Sequence, residues 1–326
     1  MQTLLKPAVR NAVGLAAPRL PRLQAELDRA LTVFLFHDVE DAPSPFVREY
    51  DLAVGVRQFE WQARFIAETF TVISMDELLD GRVPARAALL TFDDGWAGVF
   101  RHALPVLRRL GLPATVFLNM APVRGEPFWP ARAAYLCRHV DGFLDFLASR
   151  MGGRLPRYPA VACSPALVGA WERMHGDGEL DDLPAYTGSF ATPKELEEAE
   201  AQPGLTLGNH LYRHYNLLTL SEAEAEEEFT ANAEALRGYR SARPVVTVPF
   251  GRGFTPHHVE AFLGWGTRKV FTGISCLNGD PAAVLLHRVS LTSGHDRRSA
   301  VWYQLARAAL DARPFRSAAR WAWEVS

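Results

Sequence analysis

Apolar residues recur along this chain with two different periods. Mostly apolar runs occur at 32–36, 71–73, 87–92, 114–118, 205–207, 245–248 and 270–272, the length expected of strands buried on both faces, and 285–290 is a further, mixed strand candidate. Between them the spacing shifts to that of a helix. Phe59, Ala63, Ile66 and Phe70 form one stripe, and Ala103, Val106, Leu107 and Leu110 form another. Ser221 followed by Glu224 is a capping-box pattern, after which Phe229, Ala233 and Leu236 continue a stripe that Gly238 can stop. The acidic run Glu226-Glu227-Glu228 is expected to face solvent at the start of that helix. Buried strands alternating with amphipathic helices predict an α/β fold with a mostly parallel sheet.

Candidate chemistry gathers at the ends of two of these runs. The run 87–92 leads into Asp93-Asp94-Gly95, so a buried strand delivers acidic side chains to its C-terminal edge. The run 205–207 leads into Gly208-Asn209-His210, and His214 follows four residues later, a spacing that predicts both rings on one face of a helical turn. Each piece has an ordinary reading, as a turn with an Asp cap or as two exposed helix histidines. Together they bring two carboxylates and two imidazoles to the strand ends where parallel α/β architectures collect catalytic groups. One Asp and two His hold a metal with positions left open for water and substrate, and the remaining Asp can take a proton.

Composition narrows the classes. The 326 residues are 48% hydrophobic, enough for a large core, and their length suggests roughly two domains or one larger α/β unit with additions. With 35 basic and 37 acidic residues the net charge is -2, which provides no field for nucleic acid. Cys137, Cys163 and Cys276 are scattered and odd in number, which argues against a disulfide framework and for a reducing compartment. No stretch approaches the roughly 20 apolar residues of a membrane span. The apolar run 11–17 stops at Pro18-Arg19, too short for a secretory signal, so a cytoplasmic location is expected. Lys6, Arg10, Arg19 and Arg22, interleaved with Leu4, Leu5, Val9, Val13 and Leu15, suit a helix packed on the barrel or peripheral contact with an anionic membrane. The stretch 316–323 admits the same two readings, and the oligomeric state is left open.

A longer ordered series of motifs carries a resemblance. Leu35-Phe36-His37-Asp38-Val39 is followed by Phe59-Glu60-Trp61-Gln62, Ile73-Ser74-Met75-Asp76-Glu77-Leu78 and Thr91-Phe92-Asp93-Asp94-Gly95. Then come Ala103-Leu104-Pro105-Val106-Leu107, Pro113-Ala114-Thr115-Val116-Phe117, Gly208-Asn209-His210-Leu211-Tyr212-Arg213-His214 with Asn216-Leu217, and Pro249-Phe250-Gly251. From about Leu31 to about Leu291 this series resembles the polysaccharide deacetylases of the NodB-homology type, carbohydrate esterase family 4. The resemblance implies a distorted (β/α) barrel of about seven strands with a helical insertion. The barrel would comprise 31–124 and 203–295, with an N-terminal extension at 1–30, the insertion at 125–202 covering or flanking the site, and a C-terminal helical extension at 296–326.

The implied activity is metal-dependent hydrolysis of the N-acetyl group of an amino sugar in a glycan or glycan precursor. By the family pattern Asp94, His210 and His214 hold a divalent metal, zinc first, with Co, Mn or Ni as other candidates. Asp93 serves as general base, the Phe250 N–H binds the oxyanion, and His287 within Leu285-Leu286-His287 serves as general acid. A purely structural histidine competes with that last role, and His37 has no assigned role. Two departures stand out. Leu211 occupies the place of a Ser or Thr that steadies the second motif, so its loop must be held differently, and Thr247 stands near the place of an Arg that orients the catalytic Asp. Arg288 is itself an aligned feature of 286–290 in some members. The insertion is expected to select the glycan, with Trp129 either a sugar-stacking platform or, like Trp171, part of the insertion's own core. Two other classes remain open: an inactive glycan-binding barrel, and a hydrolase of another C–N bond such as a cyclic amide.

Overall fold

The computed structural model describes residues 7–175 and 180–311. Leu4, Leu5 and Lys6 of the basic N-terminal stretch and the C-terminal stretch 316–323 lie outside the described residues. The apolar runs become strands: β1 (Thr32–Phe36), β2 (Asp38–Val39), β3 (Ala53–Val54), β4 (Thr71–Val72), β5 (Ala87–Phe92), β6 (Ala114–Leu118), β7 (Leu205–Asn209), β8 (Ala242–Thr247), β9 (Lys269–Thr272), β10 (Leu285–His287) and β11 (Val289–Ser290). The sheet runs β10-β9-β8-β7-β6-β5-β1-β11 with every pairing parallel, and β4 adds to β5. β2 and β3 form a separate parallel pair that the hydrophobic pattern did not reveal. β10 and β11 are one stretch of chain broken at Arg288, pairing with β9 on one side and β1 on the other. The two ends of the sheet are therefore the same segment, and the sheet curls into a nearly closed barrel.

Strand alternation sorts the side chains between two cores. Val33, Leu89, Phe117, Val245, Phe271 and Leu286 come from six different strands and fill the barrel interior as one cluster. β7 contributes Gly208 at this level, where a Cβ would come within 2.5 Å of the Phe117 ring. The opposite faces of β1 and β5, including Phe34, Phe36, Ala88, Leu90 and Phe92, pack outward on the helices. The helix Val56–Thr69 buries Phe59, Ala63 and Ile66 of its predicted stripe. The helix Glu222–Leu236 begins at the expected capping box, in which the Ser221 Oγ accepts the Glu224 N–H at 3.3 Å. Its Glu228 does not face solvent as expected: the side chain is buried and accepts the Arg213 backbone N–H and guanidinium at 2.7 and 2.9 Å.

The terminal segments pack together, helix Pro7–Ala16 against Arg298–Asp311. The contact is close enough that a Cβ on Gly14 would lie 1.8 Å from the Ser299 carbonyl oxygen. Residues 125–202 form a helical layer that includes Trp129–His139, Phe143–Arg150, Pro165–His175, Leu183–Thr187 and Pro193–Ala199. Leu183–Thr187 packs on both Trp129–His139 and the helix Pro45–Glu49, which ties this layer to the chain that follows β2. Among the described residues no helix is long and apolar enough to cross a membrane.

Candidate metal centre and cleft

Because the barrel strands are parallel, every C-terminal end opens on the same rim. His37 follows β1, Asp93 and Asp94 follow β5, His210 follows β7, Val248 to Gly251 follow β8, and Gly273 follows β9. All of these except Pro249 line one cleft of about 390 Å³, together with Arg288 and Ser290 from the strand that closes the barrel.

At its base lies an imidazole and carboxylate cluster. Asp94 Oδ1 is 3.3 Å from His210 Nε2 and 3.4 Å from His214 Nε2, and all three side chains are buried. The indole N–H of Trp96 donates to Asp94 Oδ2 at 2.8 Å, while Oδ1 has no hydrogen-bond partner. The Nδ1–H of His210 donates to the Thr247 carbonyl at 2.9 Å, so its Nε2 turns a lone pair toward Asp94. The two ring nitrogens and the otherwise unpartnered Asp94 Oδ1 lie within 4.8 Å of one another, and this donor set fits a divalent metal. Burial, reinforced by His210, lowers the His214 imidazole to about 3, which keeps it neutral. Burial pushes the Asp94 carboxyl up, but the neighbouring His210, His214 and His37 imidazoles outweigh it, and the group stays ionised.

The histidine pair does not sit on a helical turn, as its spacing predicted. Residues 210–215 form an irregular loop after β7, with Leu211 at φ 62° and His214 at φ 65°, and the rings meet at 4.6 Å and 88°. Helical continuation is blocked because side-chain amides capture the loop's backbone groups. Asn119 donates to the carbonyls of His210 and Leu211, the latter at 2.8 Å, and Asn209 Oδ1 accepts the Leu211 N–H at 2.8 Å. Asn232 bridges Asn209 Oδ1 and the Leu118 carbonyl, each at 2.8 Å. This amide network, with Leu211 fully buried below it, is how the loop is held without a Ser or Thr after His210. Asp94 and Phe250 also take positive φ, 73° and 56°, so left-handed backbone at side-chain-bearing residues concentrates around the cleft.

Asp93 is held by a residue that the sequence reading did not place in the site. Arg288 grips both carboxylate oxygens in a fork, Nη1 to Oδ1 at 2.6 Å and Nη2 to Oδ2 at 2.7 Å, and also donates to Thr247 Oγ1 at 2.6 Å and the Thr272 carbonyl at 3.0 Å. Burial pushes the Asp93 carboxyl up; the Arg288 guanidinium and then His210 pull it down further, so it stays ionised. The orienting arginine thus comes from the closing strand, beside Thr247. The signal for it in the sequence is a cation, Arg288, inside the strand candidate 285–290.

The same alternation takes His287 away. Leu286 and Arg288 face inward, so His287 faces out, where its Nδ1 lies 2.9 Å from Thr272 Oγ1 and it lines a separate pocket with Glu26, Asn278 and Asp280. Burial lowers its imidazole to about 4. The structure does not bring His287 to the cleft; the imidazole that joins Asp93 and Asp94 there, besides His210 and His214, is His37. Phe250 reaches the cleft in a tight turn whose Gly251 Cα lies against Gly273, where an added Cβ would come within 2.8 Å. Trp129 is not a platform: it is buried, with its ring edge-on to Tyr215 at 4.8 Å. Trp171 packs on Phe143 and Phe146 within the insertion. The insertion meets the cleft instead through Phe128, Pro130, Tyr158, Ala160 and Val161.

Comparison with known proteins agrees with this architecture. The family model described as polysaccharide deacetylase matches residues 80–262, more than half of the chain. The fold is similar to IcaB from Ammonifex degensii, with a TM-score of 0.56 and 21% identity over 85% of this chain and 97% of that one. It is also similar to the Streptococcus pyogenes deacetylase PplD, solved with acetate, with a TM-score of 0.56 and 14% identity over 85% and 98%. A de-N-acetylase from Aggregatibacter actinomycetemcomitans matches with a TM-score of 0.52 and 14% identity over 81% and 95%. No curated protein is a significant match to the sequence. Through the matched family model and the motif-bearing strand ends of its barrel, the chain belongs to the polysaccharide deacetylase family of NodB-homology hydrolases, carbohydrate esterase family 4, which act on carbon–nitrogen bonds other than peptide bonds.

Proposed function

We propose that this chain removes the N-acetyl group from an amino sugar of a glycan or glycan precursor with the help of a divalent cation held by Asp94, His210 and His214. The observation that carries this reading is the orphaned Asp94 Oδ1 facing two ring nitrogens beside an ionised Asp93. Two imidazoles and one carboxylate suit zinc, with Co, Mn and Ni as substitutes. Such a cation supplies Lewis acidity, polarising the amide carbonyl and acidifying water.

The chain's own groups do the rest. Asp93 accepts the proton of the attacking water, and Arg288 holds the carboxylate in one orientation while each oxygen keeps a lone pair for that proton. The backbone N–H of Phe250, presented by its left-handed turn, stabilises the oxyanion that develops on the acetyl carbonyl. His37, on the cleft wall beside both aspartates, delivers a proton to the departing amine, a role that the outward-facing His287 is not positioned to fill. The apolar wall around this cluster excludes bulk water and strengthens each of these interactions.

The test is acetate release from a panel of N-acetylated sugars, sugar nucleotides and oligosaccharides by metal-reconstituted protein, run beside Asp93→Asn. Release that vanishes in the variant supports the assignment. A protein that binds one equivalent of metal tightly yet releases acetate from none of them sinks it.

A further inference from the structure

A second cavity lies beside the catalytic cleft and takes no part in the chemistry proposed for it. The strand that closes the barrel ends at Ser290, which lines the cleft, and the chain then turns through Thr292, Gly294 and His295 before entering the helix Arg298–Asp311. This turn, one face of that helix and the helix Pro7–Ala16 packed on it enclose about 430 Å³. Ser290 lines this cavity as well, so the two share a wall.

Its lining is cationic. Ala300, Tyr303, Gln304 and Arg307 recur at helical spacing and bring one face of Arg298–Asp311 to the cavity. Arg297 joins them from just before that helix, and Arg10 comes across from Pro7–Ala16. Three guanidinium-bearing residues thus line the cavity, and no Asp or Glu does. Among the described residues none of the three arginines has an ion-pair partner, and the Arg10 Nε is buried without a hydrogen bond. The carboxylates of the surrounding segments are placed elsewhere: Asp51 accepts from Ser293 Oγ at 2.6 Å, Glu68 pairs with Arg298, and Asp296 is exposed outside the lining. A concave surface with three cations and no carboxylate focuses a positive potential, and the planar fork of arginine matches the oxygens of a phosphate.

We propose that Arg10, Arg297 and Arg307 form a phosphate site that holds the phosphate of the substrate, so that the preferred substrate is an acetamido sugar carried on a phosphate ester or diphosphate, as in a sugar nucleotide or a lipid-linked glycan precursor. This deepens the deacetylase reading and rests on it for what lies in the cleft. The wall at Ser290 is where the sugar and its phosphate part, one toward the aspartates and the other toward the arginines. A neutral, mature glycan has nothing to place among three guanidinium groups.

The experiment measures binding and turnover on metal-loaded protein. Arg297 and Arg307 are exposed, so the double variant Arg297→Gln/Arg307→Gln changes the cavity without opening the core, and Arg298→Gln removes the same charge from outside the lining. Inorganic phosphate is titrated into each protein by calorimetry at fixed ionic strength. Wild type and Arg298→Gln should bind it alike, and the double variant about tenfold or more weaker. Acetate release is then compared for the sugar that the panel identifies, free and as its 1-phosphate, nucleoside diphosphate and prenyl diphosphate, the last two separating a nucleotide carrier from a lipid one. At least one phosphate-linked form should exceed the free sugar in kcat/KM by about tenfold or more, and that ratio should collapse toward one in the double variant while Arg298→Gln keeps it. Phosphate binding that survives the double substitution would place the anion elsewhere, at the metal for example, and overturn the proposal; so would a free sugar turned over as well as every phosphate-linked form. Acetate release from no sugar, with phosphate binding lost only in the double variant, would instead refute the deacetylase reading and leave the phosphate site standing.

Discussion

Arg288→Gln is the substitution whose consequences the structure sets out most fully. The guanidinium is 1% exposed and its carboxylate partner 3% exposed, joined by two bonds of 2.6 and 2.7 Å. Removing one member of a buried, bidentate pair leaves a charge without compensation, at a cost of about 3–5 kcal/mol. At about 2 °C per kcal/mol for a chain of this size, the melting temperature should fall by about 6–10 °C. The same loss frees the Asp93 carboxylate to rotate and raises its proton affinity, because burial then acts with less opposition. Loss of an oriented general base lowers kcat by about 10²–10⁴. Metal content should stay near wild type, since Arg288 contacts none of Asp94, His210 and His214. Kinetics of acetate release at 25 °C, metal analysis and thermal melting test the three claims together. Adding Asp93→Asn to Arg288→Gln removes both charges, so the double variant should be more stable than Arg288→Gln alone, with a coupling of at least about 2 kcal/mol. Arg288→Lys should recover little, because an ammonium cannot reproduce the fork. The reasoning is refuted if Arg288→Gln keeps kcat within threefold of wild type, or if the two substitutions destabilise additively.

Other measurements probe separate parts of the account. His37→Ala should reduce kcat by about 10²-fold or more, whereas His287→Ala should change it less than threefold; the opposite ranking would restore the outward histidine as the acid. Chelation should abolish acetate release, and added Zn, Co, Mn or Ni should restore it; full activity in a demonstrably metal-free sample would remove the cation from the mechanism. Asn119→Ala leaves the buried His210 and Leu211 carbonyls short of a donor, so metal affinity should fall about 10–100-fold, read by competition with a chromophoric chelator; unchanged affinity would mean the amide network is not what holds the loop. Burial raises the Asp38 carboxyl from 3.8 to about 7. Its folded value lies above its unfolded one, so its contribution to stability is fully present below about pH 4 and is lost as pH rises through about 7, on the order of 4 kcal/mol in all. Asp38→Asn should therefore stabilise the protein relative to wild type at pH 8 and lose that advantage near pH 4, and a pH-independent difference in denaturant melts would contradict it.

Much of this was legible in the linear pattern, and the exceptions share a cause. The strands at 32–36, 87–92 and 114–118 form where the sequence shows apolar runs, because a strand buried on both faces needs no partner information to announce itself. Asp93, Asp94, His210 and His214 were identifiable as a group because parallel strands put their C-terminal ends on one rim. Their local conformation was not, since the fourfold histidine spacing fits a helix, and Asn209, held by the sequence-distant Asn232, acts with the equally distant Asn119 to divert the loop from it. Likewise, Glu228 belongs to an acidic run by composition and to the Arg213 loop by contact.

The sequence by itself determined the strand and helix order, the mostly parallel sheet and the residue types that meet at its edge, because these follow from local periodicity and from the direction of parallel strands, while the barrel followed from the resemblance carried by the ordered motifs. Only the tertiary structure decided which side chain of 285–290 reaches the site and which imidazole besides His210 and His214 lines the cleft. Those outcomes depend on the register with which one segment closes the barrel between β9 and β1, where a shift of one residue would exchange His287 for Arg288. Register is a property of paired strands, and no single strand's sequence contains it.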